Sequence, residues 1–551
     1  MRGKFAIAML AILLVGCEGQ NKDGAPSNTT SGEQGAAGQK VTLTMAVPIL
    51  PDGVDTEAHG GKRSGYEAFL NCRDTALVYN KIPYPEDKPP EGKYFQFPDF
   101  NAGVQPGFWD KWQLSPDGKS ATFHIRPDVK SAQGHELTSE DVKWTIQRGY
   151  ALKSVYYFMA AIALNLDENN PIEVMDKYNF KLNSKGPNPL LVDLWTNMAW
   201  PPYDSTEGKA HATPNDPWAK DWFIHHCSGF GPYTVESWEP GKQVVWVANP
   251  NYYAGPPKIS RIVVREVPDS SVRLLLVKSG EVDIATDLRV EHWQQAKNTP
   301  GLIAAAVHCN CILHGYMNNL FKPFDDIRVR QAFNYVAPRM DIAEKVFGGL
   351  ATPWETAYHA IYSGADHSLW PYGETPDYDK AKQLLTEAGY GNGLDVTLSY
   401  STQLPELEQM AMLIKPNLAK VGVNVTLNPT PDASYASQSL ARKIPFGLWV
   451  DTYIQDDPIY QLSLYMYNRD AINNHGQVDD PKFREIIDGC RAKLTLQERI
   501  DCTRPAQKEA LDQAGFLYLV EPYFAVVTRS NISGLTYYQV QALEWKYLQK
   551  K

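Results

Sequence analysis

Two short stretches carry residue types that bind transition metals or act as nucleophiles. They are residues 225–227, with His225, His226 and Cys227, and residues 308–314, with His308, Cys309, Cys311 and His314. Imidazole and thiolate groups are common protein ligands of zinc and copper. The order and spacing of these residues, however, fit no zinc-ribbon pattern. We therefore predict no metal site and no cofactor.

Signatures of covalent and phosphoryl-transfer catalysis are absent from the sequence. It contains no Gly-x-Ser-x-Gly elbow, no Ser-x-x-Lys pair and no phosphate-binding Gly-x-x-x-x-Gly-Lys loop. His135 and Glu136 begin like a metalloprotease helix, but the second histidine of that motif is missing. The chain has 63 acidic residues, so a glycosidase with two catalytic carboxylates stays open as an alternative.

The N-terminal residues predict the compartment. Arg2 and Lys4 precede an apolar run over residues 5–15, which is too short for a permanent membrane span. The run ends at Cys17 in a Leu-Val-Gly-Cys sequence that resembles the bacterial lipobox. We predict a signal peptide over residues 1–16, lipidation of Cys17 and a flexible, polar tether over residues 17–40. The protein would then be extracytoplasmic and lipid-anchored at the cell envelope, in the periplasm of a Gram-negative host.

Composition narrows the classes of partner. The formal net charge is −10 and like charges do not cluster, which argues against nucleic acid and against an anionic membrane face as partners. Apolar residues make up 43% of the chain, enough for large cores. Fourteen Trp and 30 Tyr residues suit aromatic packing and also the lining of a small-molecule pocket.

Six cysteines follow Cys17, and an even number in an exported chain favours disulfides. We predict a bond between Cys490 and Cys502, which flank a polar turn region. Cys309 and Cys311 are expected to be too near each other to pair easily. The pairing of the other four stays open.

The pattern of apolar residues predicts an α/β protein. Residues 41–47 alternate between apolar and polar types, as a half-buried strand does. Thr138 starts a helix through a capping-box-like sequence, and Asp379 is expected to cap another helix. Residues 394–400, 406–421 and 423–427 read as strand, helix and strand, which predicts a parallel pair.

Several stretches, taken in order, resemble family 5 of the bacterial extracellular solute-binding proteins, which includes dipeptide-, oligopeptide- and nickel-binding members. The matching stretches are residues 112–148, 229–241, 249–255, 278–284, 323–333 and 347–349. The resemblance extends over roughly residues 110–550. It implies a two-lobe, Venus-flytrap fold that closes around a ligand.

The resemblance also implies how the chain is divided. Lobe one would comprise residues 41–309, with an extra subdomain, and lobe two residues 310–519. Residues 520–551 would return to lobe one. A ligand in the interlobe cleft favours the closed form, because it contacts both lobes. The membrane subunits of an ABC permease would recognise that form, and we expect the binding protein to be a monomer.

The family's ligand-contacting stretch corresponds here to residues 447–458. In peptide-binding members its aspartate pairs with the ligand's α-ammonium, and the resemblance makes Asp451 the candidate amine anchor, although Asp451 lies one position early. A buried carboxylate is tolerated only when it is paired. The alternative is a solvated or helix-capping aspartate.

Three aromatic residues are further candidates for ligand contact. Trp449 and Tyr453 are placed to stack on a ligand, and Tyr233 is expected near the cleft in lobe one. Ordinary core packing is the alternative for each of them.

The sequence thus predicts a receptor for a small peptide or an amine-bearing solute, not an enzyme. An oligosaccharide or opine-like ligand is the alternative within the same fold, and a secreted hydrolase is the alternative outside it.

The anchor can be tested in cells. We expect Cys17→Ser to release the protein from membranes in a fractionation assay, because the thiol that would carry the lipid is gone. Retention of the variant in the membrane fraction would contradict lipidation as the sole attachment.

Overall fold

The computed structural model describes residues 40–56, 63–85, 90–153, 155–452, 455–471 and 473–551. The predicted signal peptide, Cys17, the predicted tether up to residue 39 and Tyr453 lie outside the described residues. Among the residues that are described, no helix has both the length and the apolar character needed to cross a membrane.

The described chain contains both strands and helices, with several runs of consecutive strands. The strands are β1 (Thr42–Val47), β2 (Leu77–Tyr79), β3 (Lys81–Pro83), β4 (Phe95–Pro98), β5 (Val104–Pro106), β6 (Trp109–Leu114), β7 (Ser120–Ile125), β8 (Ile172–Val174), β9 (Asn179–Asn183), β10 (Tyr233–Glu239), β11 (Gln243–Ala248), β12 (Arg261–Glu266), β13 (Ile284–Thr286), β14 (Leu302–His308), β15 (Cys311–Met317), β16 (Ala351–Pro353), β17 (Leu394–Ser401), β18 (Val423–Thr430), β19 (Phe446–Thr452), β20 (Phe516–Arg529), β21 (Ile532–Ser533), β22 (Leu535–Tyr538), β23 (Ala542–Leu543) and β24 (Gln549–Lys550). The helices are α1 (Arg63–Arg73), α2 (Ser139–Leu152), α3 (Val155–Phe158), α4 (Leu190–Asp193), α5 (Ser205–Ala210), α6 (Lys220–Phe223), α7 (Ser270–Ser279), α8 (Val290–Lys297), α9 (Ile327–Tyr335), α10 (Arg339–Lys345), α11 (Tyr378–Glu387), α12 (Pro405–Ala419), α13 (Asp432–Leu440), α14 (Pro458–Met466), α15 (Pro481–Cys490) and α16 (Leu496–Gln513).

A 12-stranded sheet of the described chain runs through both predicted lobes. Its order is β10-β11-β12-β1-β13-β20-β15-β19-β17-β18, and β14 and β16 also pair with β20. β1 is parallel to β12 and β13, and β17 is parallel to β18, which confirms the predicted strand–helix–strand unit. The strands from β10 to β13 in this order fall within predicted lobe one, and those from β15 to β18 fall within predicted lobe two.

The described chain passes between the two halves of this sheet at two neighbouring places. The first crossover, residues 308–311, joins β14 to β15. The second crossover, residues 520–523, lies within β20, because the later part of that strand pairs with β14 and the earlier part with β15. His308 and Tyr523 are register partners, so the two crossovers run side by side.

A separate four-stranded sheet, β6-β7-β9-β8, lies in lobe one between the residues of α1 and those of β10. The hairpin predicted at residues 112–126 forms β6 and β7 of this sheet. Its core is aromatic: the ring of Trp109 makes edge-on contacts with the rings of Phe180 and Trp195. This sheet and α2 place the segment that carries Thr196 at the edge of lobe two.

The C-terminal residues are built into lobe one. β22 pairs in parallel with β4, and β24 pairs with β21. The indole N–H of Trp545 donates to Glu67 Oε1 at 3.0 Å, and Lys550 Nζ lies 2.8 Å from Asp283 Oδ2. Lys550 Nζ also donates to the carbonyl of Thr42 in β1. The end of the chain therefore completes the lobe that its beginning starts.

Helix starts follow local hydrogen-bond chemistry. Thr138 and Asp141 form the predicted capping box of α2. The prediction that Asp379 caps α11 is wrong, because Asp377 is the N-cap residue and accepts from the backbone N–H of Lys380. Asp379 lies in the first turn, where a carboxylate still interacts favourably with the helix dipole.

Three cysteine pairs have their sulfur atoms at disulfide distance. Cys490 and Cys502 are 2.02 Å apart at sulfur, in agreement with the predicted pair, and Cys72 faces Cys227. Cys309 faces Cys311, contrary to the expectation that they are too close to pair. The chain bends between β14 and β15, which brings their Cα atoms to 5.2 Å, within the usual range for a disulfide.

The glycines of the 229–241 motif permit a close backbone approach beside Cys72 and Cys227. A Cβ on Gly231 would lie 2.5 Å from the carbonyl oxygen of Cys72, and the Gly231 N–H donates to that oxygen. The motif therefore holds the end of α1 against the segment that leads into β10.

Candidate functional site

One face of the paired strands β15 and β19 carries the polar residues of the candidate site. Phe446 and Leu448 of β19 point into the core of lobe two, so Trp449 and Asp451 lie on a face that is not wholly apolar. His314 of β15 is the register partner of Trp449. Asp451 is its diagonal neighbour, and such neighbours are close enough for side-chain contact.

Asp451 is held by two ring N–H groups. Its Oδ2 lies 2.8 Å from His314 Nε2, and its Oδ1 accepts from Trp449 Nε1 at 3.1 Å. The residue is 5% exposed, so it is not a solvated aspartate. Nor does it cap a helix, because Asp457 is the N-cap residue of α14. Asp451 is thus a buried carboxylate with lone pairs left for a further donor.

A second imidazole supports Trp449 from the other side. The ring of His475 lies 4.5 Å from that of Trp449, and its Nδ1 is 2.8 Å from Arg442 NH1 and 3.0 Å from Ser439 Oγ. Burial lowers the pKa of His475 to about 4, although the charge of Asp451 acts in the opposite direction. His475 is therefore neutral near pH 7, and its Nδ1 accepts a hydrogen bond from the guanidinium group of Arg442.

Lobe one contributes Tyr66, which lies on α1 close to Asp451. Burial, and after it the charge of Asp451, raises the pKa of Tyr66 to about 12. The phenol consequently keeps its proton at any physiological pH. The two lobes meet again where Gln541 Nε2 donates to Thr452 Oγ1 at 3.0 Å.

Amide and hydroxyl groups of both lobes form a further polar set along the interface. Gln455 of lobe two lies 3.5 Å from Thr196 Oγ1 through its Oε1 and 3.5 Å from Tyr79 OH through its Nε2. Gln539 Nε2 donates to the carbonyl of Thr196 at 3.2 Å. The contacts of Gln455 are at the limit of a hydrogen bond, so its amide is only loosely engaged.

Some buried polar atoms of this set have no hydrogen-bond partner among the described residues. They are Gln539 Oε1, Gln461 Oε1 and Asn197 Nδ2. Buried polar groups in native proteins are almost always satisfied by protein, water or ligand. Leaving one unsatisfied costs about 1–3 kcal/mol. These three atoms can therefore form hydrogen bonds that the described residues do not supply.

Carboxylates outnumber cations nearby. Arg499 of α16 lies 2.5 Å from Asp457 and 3.7 Å from Asp193, which belongs to lobe one. Burial raises the pKa of Asp456 to about 6, despite its hydrogen bonds with Ser363. Burial likewise raises the pKa of Asp193 to about 6, against the effect of Arg499, although 31% of its side chain is exposed. This part of the interface favours cations and hydrogen-bond donors.

The structure separates the predicted site residues. Trp449 and Asp451 lie together, whereas Tyr453 falls outside the described residues. Tyr233 lies in β10, seven strands away from β19 in the sheet, and its hydroxyl donates to the carbonyl of Ile259. Tyr233 therefore packs in the core of lobe one and not beside Asp451.

The histidine and cysteine stretches are used for packing and pairing. His226 stacks on Trp222, Cys227 lies beside Cys72, and His308 contacts the hydroxyl of Tyr84. Within the described ranges, no three such side chains are arranged to hold a metal ion.

Sequence reasoning missed His314, Tyr66 and the interlobe amides. The sequence marks His314 only as a potential metal ligand, because its position opposite Trp449 depends on strand register. Tyr66 and Gln541 reach the site through contacts that span hundreds of residues, and no local motif marks them.

Comparison with known proteins identifies the family to which a chain with this geometry belongs. Residues 103–473 match the bacterial extracellular solute-binding proteins, family 5. Di/tripeptide-binding protein 2 of Pseudomonas aeruginosa (strain UCBPP-PA14) is 26% identical over 519 residues, which cover 90% of this chain and 92% of that protein.

Solved structures show the same fold. DppA of Helicobacter pylori, an ABC transporter-associated periplasmic binding protein in complex with the peptide STSA, superposes with a TM-score of 0.79 at 20% identity, covering 92% of this chain and 98% of that one. The PBP AgaA from A. tumefacien R10, in complex with agropinic acid, gives a TM-score of 0.77 at 23% identity, covering 93% of this chain and 99% of that one.

The fold is therefore the predicted two-lobe periplasmic-binding-protein fold, with polar side chains of both lobes facing each other between them. The chain belongs to family 5 of the bacterial extracellular solute-binding proteins.

The contact between Gln541 and Thr452 gives a test of lobe closure. We expect Gln541→Leu to weaken the closed state by about 0.5–1.5 kcal/mol, the usual net value of one hydrogen bond. Hydrogen–deuterium exchange of residues 446–452 should become about 2- to 12-fold faster in that variant. The exposed Gln549, changed to Leu, serves as the matched control. Equal exchange in both variants would mean that this contact does not hold the lobes.

Proposed function

We propose that this protein captures a small peptide or another amine-bearing solute between its lobes and delivers it to the membrane subunits of an ABC permease. It would do so as a monomer held at the envelope by a lipid on Cys17, and it would catalyse no reaction. The observation that carries the ligand class is Asp451, a buried carboxylate at the lobe interface. The names of the relatives support the peptide class.

The proposed capture rests on differential contact. A free ammonium group placed at Asp451 would add a third donor to a carboxylate that already accepts from two ring N–H groups. Such a charge-assisted hydrogen bond is stronger than a neutral one. Tyr66 and the amides of lobe one contribute only when the lobes meet. Ligand would therefore stabilise the closed form, and a permease could distinguish it from the open form.

An opine-like or oligosaccharide ligand is the second candidate. It is supported by the neutral interlobe set around Thr196, Gln455 and Gln539, whose amides suit hydroxyl and amide groups. The solved complex of AgaA with agropinic acid, which has the same fold, supports this candidate. In this alternative Asp451 would accept from hydroxyl groups and not from an ammonium group.

We also propose that the three cysteine pairs are disulfide bonds in the mature protein. The distances between their sulfur atoms support this. An extracytoplasmic location supplies the oxidising conditions that such bonds need.

The role of Asp451 can be isolated with a pair of ligands. We expect Asp451→Asn to weaken binding of alanine tripeptide by about 2–5 kcal/mol, the range for truncating one partner of a buried charge pair. The N-acetylated tripeptide has no ammonium group, so its weaker affinity should be the same in both proteins. Titration calorimetry at pH 7 measures all four values.

The control for this cycle is Asp395→Asn, because Asp395 is an exposed carboxylate of lobe two. It should bind both peptides as the wild type does. An equal loss of both peptides in Asp451→Asn would assign Asp451 a structural role and remove it from the ligand site.

The solute itself can be identified by native mass spectrometry. We expect residues 18–551, purified from the native host, to release a series of peptide masses on gentle denaturation, because a closed cleft retains its ligand. A single opine-like or sugar-like mass would support the second candidate. Conversion of a candidate solute during incubation would overturn the receptor assignment in favour of a hydrolase.

A further inference from the structure

The two crossovers are where the lobes are joined, and one small group of side chains contacts both of them. The crossovers, residues 308–311 and 520–523, pair through His308 and Tyr523. The sulfur of Cys311 lies 3.9 Å from the carbonyl oxygen of Pro522. Relative motion of the lobes must change the backbone here, as at the hinges of other two-lobe proteins.

His359 and Glu521 lie buried against these crossovers, with exposures of 0% and 3%. His359 Nδ1 is 3.3 Å from Glu521 Oε1 and accepts from the N–H of Ile361 at 3.2 Å, and its ring lies near the backbone of Cys309 and Cys311. The N–H of Ala360 donates to the same Oε1 at 2.8 Å. His359 therefore touches the first crossover through the cysteines and the second through Glu521.

The surroundings disfavour charge on either group. Burial raises the pKa of Glu521 to about 8; the Ala360 N–H opposes this and the charge of Glu355 adds to it. Burial lowers the pKa of His359 to about 3, and His308 adds to that effect. Near pH 7 the carboxyl group keeps its proton and the imidazole is neutral.

The other titratable groups that face this pair are few. Tyr523 lies beside Glu521, and its own pKa is raised to about 12 by burial and then by that carboxyl group. Tyr362 faces the ring of His359. Glu355 is paired with His367 at 2.9 Å on the outer side. Tyr523, Tyr362 and Glu355 supply no positive charge to an ionised Glu521, whereas His308 of the first crossover, when protonated, acts on His359.

We propose that His359 and Glu521 form a proton-dependent hinge lock: the closed lobes hold Glu521 protonated, and opening hydrates it and releases the proton. This regulation is separate from the identity of the solute. It makes closure of the lobes, and with it solute affinity, weaker as the medium becomes alkaline.

The direction follows from linkage. Glu521 has a pKa of about 8 in the closed form and would move toward the ordinary value of 4.5 when hydrated. The closed form therefore binds more protons between these values. Its advantage is complete below the ordinary value and is lost as the pH rises to about 8. A single linked proton changes the closure equilibrium by at most about tenfold per pH unit.

Other carboxyl groups act in a different window. Asp193 and Asp456 at the lobe interface have pKa values raised from 3.8 to about 6, so they also favour closure in acid. Above about pH 6.5 both groups are mostly ionised, so they add little to the pH dependence of closure. The interval from pH 6.5 to 8.5 therefore reports on Glu521.

The experiment is hydrogen–deuterium exchange on the ligand-free protein, over residues 308–316 and 516–524, at several values between pH 6.5 and 8.5. Wild type and Glu521→Gln are compared at each pH, which cancels the intrinsic pH dependence of exchange. We expect exchange of the wild type relative to the variant to rise with pH, by up to about tenfold per unit. A constant ratio would overturn the proposal.

A neighbouring variant guards against a fold defect in Glu521→Gln. Glu355→Gln leaves Glu521 in place and removes a charge that raises its pKa. In Glu355→Gln, hydrogen–deuterium exchange of the two segments should therefore depend on pH as it does in the wild type, but the rise in exchange should begin at a lower pH. An unshifted profile would contradict the role of Glu521.

Alanine tripeptide provides a second readout of the same lock. Its affinity for wild type, divided by that for Glu521→Gln, should fall over the same pH interval, and the ratio cancels titration of the peptide itself. If neither protein binds the tripeptide, the peptide proposal fails. The exchange profile then still decides whether the lock exists.

Discussion

A single strand shared by both lobes is the constraint on which the candidate site depends. β20 pairs with β15 and β16 over its first residues and with β13 and β14 over its last ones. Because one continuous strand serves both halves of the sheet, the register of β14 and β15 along it is fixed. The face that carries Asp451 lies near Tyr66, and the neighbouring Thr452 contacts Gln541.

Buried charged side chains determine which groups can bind where the two lobes are in contact. Asp451 is held by a ring nitrogen of His314 and by the indole N–H of Trp449. Deeper in the interface, Arg499 is shared between Asp457 and Asp193. The polar part of the described contact surface therefore holds more carboxyl groups than cations, beside an apolar part that includes Met159 and Tyr460.

The sequence predicted those features that depend on neighbours along the chain. Alternating residues predicted β1, β17 and β18, and the capping box of Thr138 predicted the start of α2, because both signals are local. The prediction that Asp379 caps α11 was wrong because Asp377, two positions earlier, has the same carboxylate side chain and stands at the N-cap position, where it accepts from the Lys380 N–H. The two-lobe fold came from resemblance, since no local rule specifies the pairing of strands hundreds of residues apart.

The site was predictable only in part for the same reason. Trp449 and Asp451 share a strand face, so their neighbourhood follows from sequence spacing. His314 joins them through strand register, and Tyr66 through the packing of another lobe. The sulfur atoms of Cys309 and Cys311 come together because the chain bends at the crossover, a geometry that their spacing in the sequence argued against.

The placement of the last residues has a consequence for how the protein is made. β22 pairs with β4, Trp545 hydrogen-bonds to Glu67, and Lys550 reaches both Asp283 and the backbone of β1. These hydrogen bonds therefore cannot form until residues 535–550 have been synthesised. A chain cut short before residue 535 would leave β4 without its β22 partner and Glu67 without the indole of Trp545.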